Sequence, residues 1–249
     1  MRGLFLDLNG VLFDDRGPIP GAVAAVQAAR RRGHVLRFVT NTATRSHLDM
    51  LAWLRRMGFT IADEELFTAP LATRHYLLRQ GLRPYCLVHP AIQPLFADLA
   101  GNPPDCVVLG DARDALGYAA LNRVFQLVRQ GLPLIGIGMN RCFVEQGEWM
   151  LDAGAFIRAI EWAADSQAII MGKPSADFFR ELCDVCNLPP GDCLMIGDDV
   201  EADVAGAMAI GMRGGLVRTG KFQPRDLDRL PPDALLLDDI TGIATLADG

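Results

Sequence analysis

Carboxylates at the ends of two short apolar runs are the side chains best placed for chemistry in this sequence. Asp7 follows the run 4–6 and precedes Asn9 and Gly10. Four acids within six residues follow the run 194–196: Asp198, Asp199, Glu201 and Asp203. Acids this close cannot all ionise without a large free-energy cost unless a cation neutralises them. Oxygen ligands that leave positions for water suit Mg²⁺, so the spacing predicts a magnesium site beside Asp7.

Two further segments offer groups that can hold a phosphoryl group. Thr40 and Asn41 follow the apolar pair Phe38-Val39, and Lys173 lies between Gly172 and Pro174. A hydroxyl, an amide and a cation at the ends of strands can bind phosphoryl oxygens. Aspartate is a known nucleophile in phosphoryl transfer, through an aspartyl-phosphate. The four segments together predict this chemistry at Asp7.

Each motif also has a simpler interpretation. Residues 7–10 are typical of a turn, and Lys173 could be an ordinary loop lysine. The pair Asp198-Asp199 could cap the helix that follows it. The ordered set of four motifs favours the catalytic interpretation.

The elements that must position these groups alternate between strands and helices. Short apolar runs predict strands over 4–8, 35–40, 193–196, 214–217 and 234–237. Helical periodicity predicts helices over 22–29, from Ser46 onward and over 176–186. Alternation of this kind predicts an α/β fold with a doubly wound, Rossmann-like parallel sheet. Because parallel strands end at one edge of a sheet, we expect the four motifs to meet there.

The middle of the chain carries its own set of elements. Strands are predicted over 85–88, 106–109 and 133–137, and helices over 94–99, 119–129 and 154–164. Proline and glycine cluster near the joints of this stretch, as linkers require. We therefore predict a catalytic core formed by residues 1–72 and 168–249, with a second, smaller α/β cap domain inserted at 73–167.

Composition excludes several classes of protein. A net charge of −6 argues against a nucleic-acid surface. No apolar run approaches the roughly 18 residues needed to span a bilayer, and the N-terminus lacks the pattern of a secretory signal. Six cysteines include one CxxC, Cys183 to Cys186, with no partner motif for zinc. Buried thiols in a reducing cytoplasm are the favoured interpretation, so a cytoplasmic location is expected.

The order of the motifs resembles the haloacid dehalogenase (HAD) superfamily of phosphatases almost from end to end. The four family motifs are matched by residues 7–12, 38–41, 172–174 and 197–199 together with Asp203. The long insertion after the second motif is similar to the class IIA cap. Residues 150–156 and 173–179 resemble the phospholysine phosphohistidine inorganic pyrophosphate phosphatase group.

The resemblance implies a role for each motif residue. Asp7 would be the nucleophile and, with Asp198 and the backbone carbonyl of Asn9, a ligand of Mg²⁺. Two further acids would support the metal or orient Lys173: Asp199 and Asp203. Thr40, Asn41 and Lys173 would bind the phosphate of a small phosphorylated substrate. The resemblance also suggests a homodimer.

Asn9 is a departure from the pattern of most members of the superfamily. They carry an aspartate here, which acts as general acid and base, whereas an amide cannot donate and accept a proton in that way. Losing a positioned acid/base costs on the order of 10²–10⁴ in rate. The group named above also lacks this aspartate. The sequence therefore predicts a bias toward good leaving groups: pyrophosphate, P–N bonds and aryl phosphates.

Two other functions stay open at this stage. One is a general sugar-phosphate or nucleotide phosphomonoesterase with the same metal residues. The other is a catalytically weak protein that binds phosphate or regulates. The cap would read the substrate, and Arg141, Trp149 and Met150 are candidates for facing the site. Arg141 is predicted to bind a second anionic group, or else to be a solvated surface charge.

Overall fold

The computed structural model describes residues 1–145 and 148–246. Residues 146–147 of the predicted cap and residues 247–249 of the predicted core lie outside the described part. The chain forms two compact units. The first contains residues 1–40, 48–67 and 179–249, and the second contains residues 41–47 and 68–178.

The first unit is built on a six-stranded sheet in the order β14-β13-β12-β1-β4-β5. Its strands are β1 (Gly3–Asp7), β4 (Val35–Thr40), β5 (Leu66–Thr68), β12 (Cys193–Gly197), β13 (Arg213–Val217) and β14 (Leu235–Leu237). The five strands from β14 to β4 pair in parallel. Two short strands, β2 (Phe13–Asp14) and β3 (Gly17–Pro18), form a separate hairpin.

The strand order reverses beside β1. From β1 the chain continues to β4 on one side, and β12 returns to pair with β1 on the other side. Every residue of β1 and β12 is buried, as expected for central strands of a parallel sheet. Ligands of open α/β sheets bind at such a reversal, outside the carboxyl ends of the strands. Asp7 ends β1, and Asp198 directly follows β12.

Helices connect the strands of the first unit. They are α1 (Ala22–Arg31), α2 (His47–Arg56), α6 (Ala176–Cys186) and α7 (Gly206–Met208), with a π-helical segment at Val200–Ala205. The α1 helix begins where the sequence predicts and extends two residues further than expected. Its Arg30 donates to both carboxylate oxygens of Glu65, which is buried. This paired geometry anchors the end of α1 to the segment before β5.

The second unit has a four-stranded parallel sheet in the order β11-β8-β7-β6. Its strands are β6 (Pro84–Leu87), β7 (Cys106–Leu109), β8 (Leu134–Gly136) and β11 (Ile169–Ile170), and an antiparallel hairpin joins β9 (Cys142–Glu145) to β10 (Glu148–Leu151). The helices of this unit are α3 (Ala69–Gln80), α4 (Tyr118–Arg129) and α5 (Ala153–Ala164). Apolar side chains of α4 and α5 pack against β7 and β8 in one core cluster.

Several elements differ from the sequence-based expectations. The α3 helix and the β9–β10 hairpin were not predicted. The segment expected to be helical over 94–99 forms only a short 3₁₀ turn, Gln93–Phe96. Within the described part of the chain, no helix combines the length and the apolar character required to cross a bilayer.

Candidate active site

Three carboxylates meet at the edge of the first unit's sheet. Oxygen atoms of Asp7, Asp198 and Asp203 lie within 4.8 Å of one another. Their exposed fractions are only 8%, 2% and 1%. Buried carboxylates this close repel each other strongly, so the cluster is stable only with protons or a cation to compensate.

Two glycines enclose the Asp198 carboxylate. A Cβ added at Gly10 or at Gly220 would lie 2.1 Å from Asp198 Oδ2, and both glycines have positive φ (82° and 65°). Only glycine occupies such positions without strain. The Thr219 hydroxyl donates to the Gly10 carbonyl at 2.5 Å, and the Lys221 N–H donates to Asp198 Oδ2 at 2.8 Å. The loop after β13 therefore fixes the orientation of Asp198.

The acids after β12 divide into two roles. Asp199 caps the π-helical segment, because its Oδ1 accepts from the N–H groups of Glu201 and Ala202 at 3.0 and 2.9 Å. Asp199 therefore makes the contacts that the capping interpretation of this motif predicts. Asp203 instead points to the cluster with Asp7, and a Cβ at Gly197 would lie 2.1 Å from its Oδ2. One acidic motif thus supplies both a helix cap and two members of the cluster.

Lys221 is a charged neighbour of the cluster that the sequence analysis missed. Its Nζ lies 3.6 Å from Asp199 Oδ2. Burial alone would lower the pKa of Lys221, but attraction to Asp198, Asp199 and the other acids of the cluster raises it. The side chain is still 65% exposed, so solvent screens this attraction. The signal available in the sequence was a polar turn, residues 219–221, after the predicted strand 214–217.

The donor set of the cluster fits a hard divalent cation. All three groups are carboxylates, with no thiolate or imidazole among them. Oxygen-only sites suit Mg²⁺ or Ca²⁺ better than zinc or copper. The predicted magnesium site is therefore compatible with the residues present.

Two predicted phosphate-binding residues, Asn41 and Lys173, are hydrogen-bonded to each other in the second unit. The Asn41 Nδ2 donates to the Lys173 carbonyl at 3.0 Å, and the Lys173 N–H donates to Asn41 Oδ1 at 2.8 Å. Lys173 is buried and Asn41 is half-buried. A Cβ at Gly172 would lie 2.9 Å from the Gly138 Cα and 3.2 Å from Asn41 Oδ1. The amide of Asn41 thus fixes the backbone of the lysine.

The remaining predicted residues lie in different surroundings. Thr40 is buried at the end of β4, one residue beyond the Val39 that pairs with Asp7. Asn9 is exposed in the turn after β1. Trp149 and Met150 line a cavity of about 790 Å³ within the second unit, whereas Arg141 is exposed and lies outside the lining of that cavity.

Comparison with known proteins gives the family. A haloacid dehalogenase-like hydrolase model matches residues 4–100, and a HAD-hydrolase-like model matches residues 170–243. A phospholysine phosphohistidine inorganic pyrophosphate phosphatase from Xenopus laevis is 40% identical over 235 residues, covering 91% of this chain and 86% of that protein. The chain belongs to the haloacid dehalogenase-like hydrolase family. It is an enzyme of the HAD type.

Further relatives and solved structures agree with the HAD assignment. The human haloacid dehalogenase-like hydrolase domain-containing protein 2 is 36% identical over 236 residues, covering 95% of this chain and 91% of that protein. A p-nitrophenyl phosphatase from Archaeoglobus fulgidus superposes with a TM-score of 0.88 at 25% identity, covering 98% of both chains. NagD from E. coli K-12 has the same fold, with a TM-score of 0.87 at 20% identity over 99% of this chain and 98% of that chain. The predicted fold class is confirmed.

Proposed function

We propose that this protein is a Mg²⁺-dependent phosphatase of phosphorylated small molecules that works through an aspartyl-phosphate. One observation carries the proposal: three buried carboxylates lie within 4.8 Å of one another at the carboxyl ends of β1 and β12. A buried cluster of this charge must be compensated by protons or by a cation, and its carboxylate oxygens suit Mg²⁺. One relative is named as a phosphatase of pyrophosphate and phosphohistidine, and one solved structure as a p-nitrophenyl phosphatase. These names support the choice of reaction.

In this mechanism Asp7 is the nucleophile. One of its carboxylate oxygens bonds to phosphorus, while the bond from phosphorus to the leaving group breaks and its electron pair departs with that group. The oxygen of a water molecule then bonds to phosphorus, the bond from phosphorus to the Asp7 oxygen breaks, and the water's surplus proton passes to solvent, which releases inorganic phosphate and restores the Asp7 carboxylate. Asp7, Asp198 and the carbonyl of Asn9 would hold Mg²⁺, and Asp203 would support them. When bound, the ion supplies neutralising charge for the phosphoryl oxygens.

The phosphate would be held by groups on the second and third motifs. The Thr40 hydroxyl and the Lys173 ammonium supply a donor and a positive charge. Asn41 uses one of its two amide hydrogens to hold the lysine backbone, so its main contribution is to position Lys173. The predicted cap, residues 73–167, would contact the leaving group.

Asn9 gives the reaction its expected substrate bias. Without a proton donor, the leaving group must depart with little protonation. Phosphate from pyrophosphate, imidazole from phosphohistidine and phenolates from aryl phosphates are better suited to this than sugar alkoxides. The bias should be visible in kcat/KM, which reports the steps up to formation of the aspartyl-phosphate.

The location and assembly of the protein are also part of the proposal. All six cysteines are free thiols, which supports the expected cytoplasmic location. The homodimer and the role of Arg141 in binding a second anionic group are kept as predictions from the sequence.

The decisive experiment measures phosphate release from pyrophosphate, an aryl phosphate and sugar phosphates, with Mg²⁺ and with EDTA. We expect turnover that needs Mg²⁺ and a kcat/KM that favours the first two substrates. Equal or better kcat/KM for sugar phosphates would identify a general phosphomonoesterase instead. Undetectable turnover of every substrate, with phosphate still bound, would identify a binding protein.

A further inference from the structure

The second unit contains another cavity, and its lining shares no residue with the cavity beside Trp149. Its volume is about 720 Å³, within the usual range for small-molecule sites. All of its lining residues fall between Pro84 and Arg123, so the second unit forms it alone. None of them is a residue of the four motifs. This cavity is therefore a candidate binding site in its own right.

Most of the lining is apolar. Tyr85 of β6 and Phe96 supply aromatic rings, and four prolines add further apolar surface: Pro84, Pro90, Pro94 and Pro104. Because the ring of proline fixes φ, these positions have little backbone freedom to lose when a ligand binds. Burial raises the pKa of the Cys86 thiol to about 12, so this lining residue stays a neutral group.

The wall that contains Phe96 is held in place by Arg74 of α3. Arg74 Nη1 donates to the Leu95 carbonyl at 2.6 Å, and its two terminal nitrogens donate to the two carboxylate oxygens of Asp98 at 2.6 and 2.7 Å. Paired bonds of this kind restrict both partners. Phe96 itself is only 1% exposed. The wall is therefore formed before any ligand binds, which lowers the entropic cost of binding.

The strand beside this cavity disfavours an extended peptide or a second chain as the occupant. β6 is the last strand of its sheet, and a free edge of this kind can pair with another strand. Here β6 begins with Pro84, which has no N–H to donate, and it contacts the 3₁₀ turn Gln93–Phe96. Proline on an edge strand opposes the addition of another strand. A small molecule is thus the better match.

The charge of the lining favours an anion. Among the described lining residues, Arg123 of α4 carries the only charge. It is exposed, and within the described part of the chain its guanidinium makes no hydrogen bond or ion pair. Other arginines of this unit are paired with carboxylates: Arg74, Arg83, Arg113 and Arg158. An unpaired guanidinium beside an apolar cavity complements a ligand with one negative charge.

We infer that this cavity binds a small molecule with an apolar body and a single carboxylate, and that Arg123 binds the carboxylate. The guanidinium can donate two parallel hydrogen bonds to the two oxygens of such a group. The apolar body would contact the rings of Tyr85 and Phe96. The inference goes beyond the proposed function and does not depend on it, because no step of phosphate release uses these residues.

The charge preference is tested with two probes of nearly equal shape, biphenyl-4-carboxylate and biphenyl-4-carboxamide. Calorimetry measures their affinity for the full-length protein with Mg²⁺ and excess inorganic phosphate, which occupy the proposed catalytic residues. We expect the carboxylate to bind at least about threefold more tightly than the amide. Equal or weaker binding of the carboxylate overturns the inference, and so does the absence of binding up to about 1 mM.

Arg123→Gln tests which residue recognises the charge. We expect the affinity for the carboxylate to fall to that for the amide, with the affinity for the amide unchanged. Arg129→Gln is the matched control, because Arg129 is also an exposed arginine of α4 but lies outside the lining. The control should keep the preference. An equal loss in both variants would assign the preference to the overall charge of α4 and overturn the inference.

Ala97→Phe tests whether the probes occupy this cavity. Ala97 is an exposed residue of the lining, and the added ring should weaken binding of both probes by about tenfold or more. Ala163→Phe, at an exposed alanine of α5 outside the lining, is the control. Thermal melts check that the variants fold. Unchanged affinities in Ala97→Phe place the probes elsewhere and overturn the inference.

A second copy of the chain is the remaining alternative occupant. Analytical ultracentrifugation of the wild type and of Ala97→Phe distinguishes it from a small molecule. We expect the same oligomeric state for both proteins. A wild-type dimer that dissociates in Ala97→Phe but not in Ala163→Phe would show that another copy covers the cavity, which overturns the inference.

Discussion

Two charged clusters, one in each unit, are built in opposite ways. In the first unit, Asp7, Asp198 and Asp203 are buried together with like charge. In the second unit, Arg113 is more open to solvent and has carboxylates of opposite charge as partners. Like charges that are buried together must be compensated by protons or by a cation. Opposite charges that satisfy each other fix the position of a structural element.

The contacts that hold each cluster in place also differ between the two units. The backbone of Gly10 and of Gly220 lies so close to Asp198 that a Cβ added at either would be 2.1 Å from its Oδ2. Around Arg113 the restraint comes from side chains, which can be shortened or exchanged with smaller consequences. We therefore expect changes in the first unit to affect turnover strongly and changes in the second to affect substrate choice.

The Asp7→Asn substitution should have the largest effect, and it tests whether the first unit controls turnover. Removing the nucleophile should lower kcat by at least about 10⁴-fold for every substrate, because no other group can form the covalent intermediate. Phosphate release measures the loss, and a thermal melt checks that the variant folds. Residual activity within tenfold of the wild type would mean that Asp7 is not the nucleophile.

Asn9→Asp tests the role of the residue at position 9. A restored general acid should raise kcat/KM for sugar phosphates by about 10²-fold or more, and should change kcat/KM for pyrophosphate much less. The measurement is steady-state kinetics on both substrates over a range of Mg²⁺ concentrations. An equal gain for both substrates would contradict the acid/base explanation.

Gly220→Ala tests whether the geometry of Asp198 sets metal affinity. The added Cβ would lie 2.1 Å from Asp198 Oδ2 and must displace it. We expect the Mg²⁺ concentration for half-maximal activity to rise about 10- to 100-fold. Gly211→Ala is the matched control, because Gly211 also has positive φ (87°) but no atom lies within 4 Å of its added Cβ. Equal effects of the two variants would mean that backbone strain, and not displacement of Asp198, lowers the affinity for Mg²⁺.

Asn41→Ala should have the smallest effect of the four. It removes two hydrogen bonds to the backbone of Lys173, each worth about 0.5–1.5 kcal/mol. We expect kcat/KM to fall about tenfold for pyrophosphate and aryl phosphates alike, since both use the same lysine. Asn122→Ala, which changes an amide on α4, serves as the control. An effect confined to one substrate would place Asn41 at the leaving group instead.

The sequence predicted the central framework well for physical reasons. The β4 strand and the α6 helix have the predicted bounds, and the apolar runs 4–6 and 194–196 lie in β1 and β12, whose residues are all buried. The β10 strand was not predicted, because its apolar side chains remain exposed and lack the alternation of a half-buried strand. The α3 helix was missed because its apolar residues do not lie along one face.

The acids of the candidate site were predicted as a group, but their individual contacts were not. The spacing of Asp198, Asp199 and Asp203 predicts acids near one another and cannot say which one caps a helix. That depends on side-chain direction, which only the folded backbone determines. Lys221 is 23 residues from Asp198 in the chain, and tertiary folding alone brings them together.

The two glycines beside Asp198 offer a way to recognise inactive members of the family from sequence. A homologue could retain every acidic residue of the four motifs and still carry a larger residue at the position of Gly10 or Gly220. Its acids would be unchanged, yet the new side chain would displace the carboxylate. We expect such pseudoenzymes to be identified more reliably by these two positions than by the acids themselves.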